Sequence, residues 1–102
     1  MARSQLHSTL ERMVLDVLEE HNVKLERHDI EVIVRLLEGT RIPPASLKEA
    51  VRNAVAAYLR YVKGWSAREA DKVAASSKGR RHWERKLHSL MASVFVRVTV
   101  EG

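Results

Sequence analysis

The chain has 102 residues, a formal charge of +5 and a pI of about 10.0, and its length allows one hydrophobic core and one domain, residues 1–102. Apolar residues make up 45% of the chain and charged residues 30%, a balance that excludes an intrinsically disordered protein. The chain contains no cysteine, which excludes disulfide bonds, thiolate catalysis and Cys-ligated zinc.

Two helices are predicted in the N-terminal half. Over residues 4–21 apolar residues recur at the 3, 4 and 7 spacings of a helix, and acidic residues lie mostly on the opposite side. Residues 30–38 are apolar nearly all round, which indicates a central, buried helix. We expect Asp29 to cap this helix and Gly39 to end it. The segment 23–26 between the two helices is compatible with a loop or a brief strand.

Two helices with serine caps are predicted in the middle of the chain. In both Ser46–Glu49 and Ser66–Glu69 a glutamate follows a serine by three residues, the capping-box pattern in which both side chains satisfy free backbone amides. The first box begins a helix with one continuous apolar stripe, which Gly64 ends. The second begins a short alanine-rich helix, so that this unit covers 66–75.

The C-terminal third predicts a turn, a fifth helix and a strand. Ser76–Gly79 is typical of a turn, and the fifth helix over 80–93 carries Trp83 and Leu87 on its apolar face. Over 95–100 valines alternate with other residues, the two-residue period of a half-buried strand. The predicted fold is therefore mainly α, a single-domain bundle of about five helices with a short C-terminal β-strand.

Common catalytic and cofactor-binding motifs are absent from the sequence. None of the five histidines forms an i, i+4 pair, and no HExxH, GxxxxGK or GxGxxG motif occurs. The carboxylates of the first predicted helix lie away from its apolar stripe, as expected of a solvated face. The sequence therefore predicts a non-enzymatic protein with no metal and no cofactor, and a minimal or decayed enzyme is the weakest hypothesis.

Positive charge is concentrated in the C-terminal part of the chain. Residues 1–40 contain five bases and eight acids, whereas residues 41–102 contain thirteen bases and five acids. Nine of those bases and only three acids fall between Arg60 and His88. Such a surplus indicates an anionic partner, although charges on an ordinary solvated surface also segregate.

Six bases of the fourth and fifth predicted helices, together with Lys78 of the turn between them, are the candidate nucleic-acid-binding residues. At about 100° per residue, Arg81, Arg85 and His88 lie opposite the apolar face of the fifth helix. Arg80 and Arg81 occupy its predicted first turn, where the helix dipole disfavours cations by about 0.3–1 kcal/mol unless a phosphate binds there. Pairing with Glu84 is the alternative explanation. The candidate set is Arg68, Lys72, Lys78, Arg80, Arg81, Arg85 and Lys86.

Two further features bear on nucleic-acid binding. The two helices predicted over 66–93 match the outline of a helix-turn-helix, in which the second helix enters a DNA groove, but any two amphipathic helices match it. Tyr58 and Trp83 are in phase with apolar stripes, which predicts core residues rather than platforms for stacked bases. Tyr61 lies near the edge of its stripe.

These observations predict a small, basic, helical protein that binds nucleic acid, DNA rather than RNA, without enzymatic activity. The alternative is a helical protein–protein interaction or assembly module whose acidic and basic halves dock onto other subunits. A steep salt dependence of binding favours nucleic acid, and a shallow one favours the assembly module. We also expect replacement of Arg80 and Arg81 by alanine to leave the fold intact.

Assembly and location are predicted from the two ends of the chain. The unpaired edge of the strand at 95–100 predicts a homodimer, in which this strand and the first helix meet their copies. The N-terminal segment MARSQLHSTLERM has no hydrophobic signal region, and no apolar run is long enough to span a membrane. We therefore expect a cytoplasmic protein that does not associate with a membrane.

Overall fold

The computed structural model is mainly helical, as predicted. It describes the backbone of residues 2–101 and the side chains of residues 5–92. Within this described part, no helix is both long and apolar enough to cross a membrane. In chain order the elements are α1 (Ala2–Glu20), α2 (Arg27–Glu38), a 3-10 turn (Pro44–Ser46), α3 (Leu47–Tyr61), α4 (Ala67–Asp71) and α5 (Ser77–Glu101).

Helix α3 is the central element of the core. It contacts all four of the other helices, and its residues from Ala54 to Leu59 are buried without interruption. Small alanine side chains in this stretch allow neighbouring helices to approach α3 closely, while valine, tyrosine and leucine fill the space between them. The chain turns after α3 at Gly64, whose φ of +80° is a conformation that favours glycine.

Helix α2 begins earlier than the sequence indicates. Its N-terminal cap is Glu26, and Asp29 is the third residue of the helix rather than its cap. The carboxylate of Asp29, in the first turn of the helix, accepts a hydrogen bond from the backbone amide of Glu26 at 3.1 Å. Asp29 is thus the second member of a capping box. The prediction that Asp29 caps α2 was therefore wrong in position, whereas Gly39 does form its C-terminal cap.

The two predicted serine caps have different outcomes. The hydroxyl of Ser66 accepts a hydrogen bond from the amide of Glu69 at 3.1 Å, which confirms Ser66 as the cap of α4. Ser46 makes no such side-chain bond, because the 3-10 turn of Pro44–Ser46 leads directly into α3. The capping box predicted at Ser46–Glu49 is therefore not formed.

Helix α5 begins at Ser77 rather than at Arg80. The segment Ser76–Gly79, predicted as a turn, forms the cap and first turn of α5, since the hydroxyl of Ser76 accepts from the amide of Gly79 at 2.9 Å. The prediction of a turn over these four residues was therefore wrong. A serine three residues before a free amide is the usual cap geometry.

Helix α4 ends at Asp71, well before the predicted end of this unit at residue 75. Two side chains of α3 bind the chain that follows it. The carbonyl oxygen of Asn53 accepts from the amides of Ala75 and Ser76 at 2.8 and 3.2 Å, and Arg52 donates to the carbonyls of Val73 and Ala74 at 3.2 and 3.0 Å. Because α3 satisfies these backbone groups, the chain can leave the helical conformation after α4 and begin a separate helix, α5.

The strand predicted over 95–100 is not supported. The backbone continues α5 as far as Glu101, and the side chains from residue 93 onward lie outside the described residues. The segment 23–26, which could have formed a strand to pair with it, is a loop. A strand at 95–100 would therefore leave its backbone groups unpaired, whereas a helix satisfies them internally. The homodimer prediction thereby loses the strand edge on which it was based.

The helix-turn-helix predicted over 66–93 is also not supported. Helix α4 has only five residues, and its main contacts are with α3. Helix α5 likewise makes its most extensive contacts with α3 and additional ones with α2. Both helices therefore pack mainly on α3, which is not the arrangement of a two-helix unit.

Candidate nucleic-acid interface

Helix α5 carries the candidate interface because one of its faces packs on α3 and the other is exposed. Trp83 and Leu87 are buried, and Arg81 and Arg85 on the opposite side are exposed, as the sequence predicts. The helical repeat accounts for this division, since residues four apart share a face and residues two apart lie on opposite sides. The same helix is therefore part of the core and part of a basic surface.

Four bases of α5 have no carboxylate within 4.0 Å among the described residues: Lys78, Arg81, Arg85 and Lys86. Arg81 donates only to the hydroxyl of Ser77, at 3.4 Å. The ammonium group of Lys86 lies 5.9 Å from the centre of the Trp83 ring, within the range of a cation–π interaction. The charge of Arg81 also helps to hold the pKa of Asp71 low, but none of the four side chains is in an ion pair among the described residues. We call these four residues the α5 bases.

Arg80 lies in a different environment from the α5 bases. Its side chain is only 5% exposed, its Nε donates to Asp71 Oδ1 at 2.6 Å, and its Nη1 pairs with Glu84. Burial alone lowers the pKa of Arg80, but the two carboxylates outweigh burial and raise it. Arg80, together with the hydroxyl of Ser77, also holds the pKa of Asp71 below its usual value. Arg80 thus joins α4 to α5 and is not exposed to a phosphate.

The helix-dipole argument changes with the true start of α5. Arg80 and Arg81 lie beyond the first turn, and the amide of Arg80 already donates to the carbonyl of Ser76 at 3.0 Å. The base in the first turn is Lys78. The expectation that a phosphate explains two arginines at a helix start is therefore wrong in its premise, and pairing of Arg80 with Glu84 is what the structure contains.

Arg68 and Lys72 are exposed on and just after α4. Lys72 lies 3.8 Å from the Glu69 carboxylate in an exposed ion pair, and pairs of this kind contribute about 0–1 kcal/mol and do not immobilise the lysine. Arg68 has no carboxylate within 4.0 Å in the part of the chain that the structure describes. Both bases belong to an element next to α5 and not to its exposed face.

Tyr61, at the end of α3, extends the exposed face of α5. Its hydroxyl lies 2.5 Å from His88 Nδ1, and the two rings meet edge to face with centroids 5.8 Å apart. Tyr61, His88, Arg81 and Arg85 line one shallow pocket of about 480 Å³, which Glu84 and Ser89 complete. Sequence reasoning missed this arrangement because it depends on how α3 and α5 pack, and no local pattern encodes that.

A second polar cluster, also missed from the sequence, lies where α2 meets the end of α3. Asp29 is 1% exposed, and its carboxylate accepts from the Tyr58 hydroxyl and the Glu26 amide, with Lys63 Nζ 3.5 Å and His28 Nε2 3.4 Å away. Burial alone raises the pKa of Asp29, but these donors and charges outweigh it and lower the pKa. Burial and the adjacent carboxylate raise the pKa of Tyr58. The cluster is fully partnered and joins two helices.

The described residues therefore offer one surface suited to a polyanion. Guanidinium and ammonium groups donate charge-assisted hydrogen bonds to phosphate oxygens, and the α5 bases hold four such groups along a helix fixed to the core. Tyr61 and His88 add an aromatic edge to this surface. No protein-family model, no curated protein and no solved structure matches the chain.

Proposed function

We propose that the protein binds nucleic acid through the α5 bases and performs no reaction on it. The observation that supports this proposal is the difference between neighbours on one helix: Arg80 has two carboxylate partners, whereas the α5 bases have none within 4.0 Å among the described residues. Like charges along one helix face repel each other, and a polyanion relieves that repulsion when it binds.

The spacing of the bases suits contacts with a phosphate backbone. Arg81 and Arg85 are separated by about 6 Å along the helix axis at 1.5 Å per residue, comparable to two steps of about 3.4 Å in one DNA strand. Contacts of this kind fix position without identifying bases, so we expect binding that depends little on sequence. Phosphates are common to DNA and RNA, and the preference for DNA stays a prediction.

Fluorescence anisotropy with a labelled oligonucleotide tests this proposal. We expect the double variant R81A/R85A to bind about 10-fold or more weakly than wild type at low salt, because two phosphate contacts are lost. The matched control is K24A/R41A, which removes the same charge from two exposed bases that also have no carboxylate within 4.0 Å among the described residues. We expect this control to bind within about 3-fold of wild type.

Two outcomes would contradict the proposal. Equal losses in R81A/R85A and K24A/R41A would mean that binding follows net charge and not the α5 bases. If wild type bound neither DNA nor RNA at low salt, the protein would not be a nucleic-acid-binding protein.

A helical assembly module is the second candidate function, and one surface favours it. Val32 of α2 and Leu90 and Met91 of α5 form the apolar part of a groove that His28, Glu31 and Arg35 also line, and Met91 is 43% exposed. Exposed apolar side chains that adjoin each other are typical of protein contacts. Association with a protein partner through this groove would depend little on salt, in contrast to binding through the α5 bases.

A further inference from the structure

Tyr61, the last residue of α3, is an exposed aromatic residue beside the basic face of α5. It is 41% exposed, although tyrosine usually buries most of its ring, and it lines the same pocket as Arg81 and Arg85. We infer that this pocket binds an unstacked nucleobase on Tyr61, which makes the α5 face a site for single-stranded nucleic acid. The inference depends on the proposed function and adds to it the form of nucleic acid that is recognised.

The ring of Tyr61 is held in place. Its backbone lies two residues after the buried Leu59. The contact of its hydroxyl with His88 Nδ1 at 2.5 Å fixes the outer end of the ring. The two rings are perpendicular, at an interplanar angle of 90°, so His88 does not cover a face of Tyr61 in a parallel stack. A fixed aromatic face costs little conformational entropy when a base stacks on it.

The positive charges next to the Tyr61 ring suit a nucleobase that is attached to a sugar-phosphate backbone. Arg81 and Arg85 line the pocket with Tyr61, so phosphates of the strand can bind there while the base lies on the ring. The pocket also contains one carboxylate, that of Glu84, but this group pairs with Arg80. The positive charge of Arg80 therefore compensates the negative charge of Glu84, which reduces its repulsion of a bound strand.

Duplex DNA cannot use this pocket in the same way. In a duplex the faces of the bases are stacked on one another, and a residue on a protein surface meets only phosphates, sugars and groove edges. Single strands expose base faces, which stack on aromatic side chains with little regard to base identity. Tyr61 should therefore contribute to the binding of single strands alone, whereas Arg81 and Arg85 should contribute to both forms.

The test compares two ligands, a 20-residue oligothymidine and a blunt-ended duplex without a loop, for wild type, Y61A, Y61L and Y61F. We expect Y61A and Y61L to bind the single strand about 5-fold or more weakly and the duplex unchanged, because both variants lack an aromatic face. Y61F keeps the face and should bind the single strand within about 2-fold of wild type. A 2-aminopurine base in the single strand should be quenched by wild type and Y61F, but not by Y61A or Y61L.

The outcomes separate this inference from the proposed function. If R81A/R85A weakens binding while Y61A and Y61L bind both ligands like wild type, the inference is wrong and the proposed function stands. Equal weakening of both ligands by Y61A and Y61L would also overturn the inference. If wild type binds neither ligand, the proposed function itself fails. Y61L retains most of the side-chain volume, so it decides the matter should Y61A fail to fold.

Discussion

Arg80 and Arg81 are adjacent in the sequence but lie in opposite environments. Arg80 points into a cluster with Asp71 and Glu84, whereas Arg81 lies on the exposed face of α5. The pairing of Arg80 with Glu84, one helical turn away, is predictable from the sequence. The contact with Asp71 is not, because the short α4 and the segment after it bring Asp71 to Arg80. The burial of Arg80 thus depends on its contact with Asp71, which the spacing of residues along one helix does not predict.

Replacement of Arg80 by alanine should destabilise the fold. Two carboxylates that are partly shielded from water would lose their shared cation, and we expect the free energy of unfolding to fall by about 2–4 kcal/mol, somewhat less than for a fully buried pair. R81A is the matched control and should change it by less than about 0.5 kcal/mol, because Arg81 is exposed. This corrects the expectation that alanine at both positions leaves the fold intact. Equal urea-denaturation midpoints for the two variants would contradict it.

The buried carboxylate of Asp29 should make stability depend on acid pH. Its pKa is lowered in the folded protein, so its contribution is fully present above the unfolded value of about 3.9 and is lost as the pH falls through the lower folded value. D29N has no such group, so its free energy of unfolding should fall less than that of wild type between pH 5 and pH 2.5. D16N, at an exposed position, should behave like wild type. A D29N curve parallel to that of wild type would disprove this role.

At the scale of the helices, the start of α5 is fixed by close packing against α3. A Cβ on Gly79 would lie 2.2 Å from Asn53 Nδ2, and Asn53 is itself held by the amides of Ala75 and Ser76. Alanine is normally preferred to glycine inside a helix by about 1 kcal/mol. At this position the collision should outweigh that preference, because Asn53 cannot move without giving up two hydrogen bonds.

The variant G79A should therefore lower the free energy of unfolding, by about 1–3 kcal/mol. Gly39 is the matched control, since it also has a negative φ, and an added Cβ would be no closer than 3.5 Å to the nearest atom. G39A should leave stability unchanged or raise it by about 0.4–1 kcal/mol. Thermal melts of both variants measure the difference. A G79A protein as stable as G39A would show that Asn53 does not restrict the start of α5.

The sequence predicted the helices well and their boundaries poorly, for a physical reason. The apolar stripes of α1, α3 and α5 follow from helical periodicity, which a buried face imposes on local sequence. The early end of α4 and the start of α5 depend on Asn53 and Arg52, more than twenty residues away. The exposed position of Arg81 and Arg85 was likewise predictable, but the pocket that joins them to Tyr61 was not, because it forms between two helices.

At the scale of the whole molecule, opposite charges lie on different helices around α3. The exposed carboxylates Asp16, Glu19 and Glu20 belong to α1, whereas the α5 bases belong to a helix that packs on α3 and α2. A polyanion that approaches α5 thus meets bases on a helix other than the one that carries these carboxylates. Long-range steering of this kind raises association rates and weakens as salt is added.

The slope of log K against log salt concentration tests the central claim most directly. Binding of wild type to a 20-residue oligothymidine should show a slope of about −3, since four phosphate contacts release counterions from a single strand. The slope should fall to about −1.5 in R81A/R85A, which lacks two of the contacts, and stay near −3 in K24A/R41A. A wild-type slope near zero, or one that R81A/R85A leaves unchanged, would show that the α5 bases do not bind phosphates.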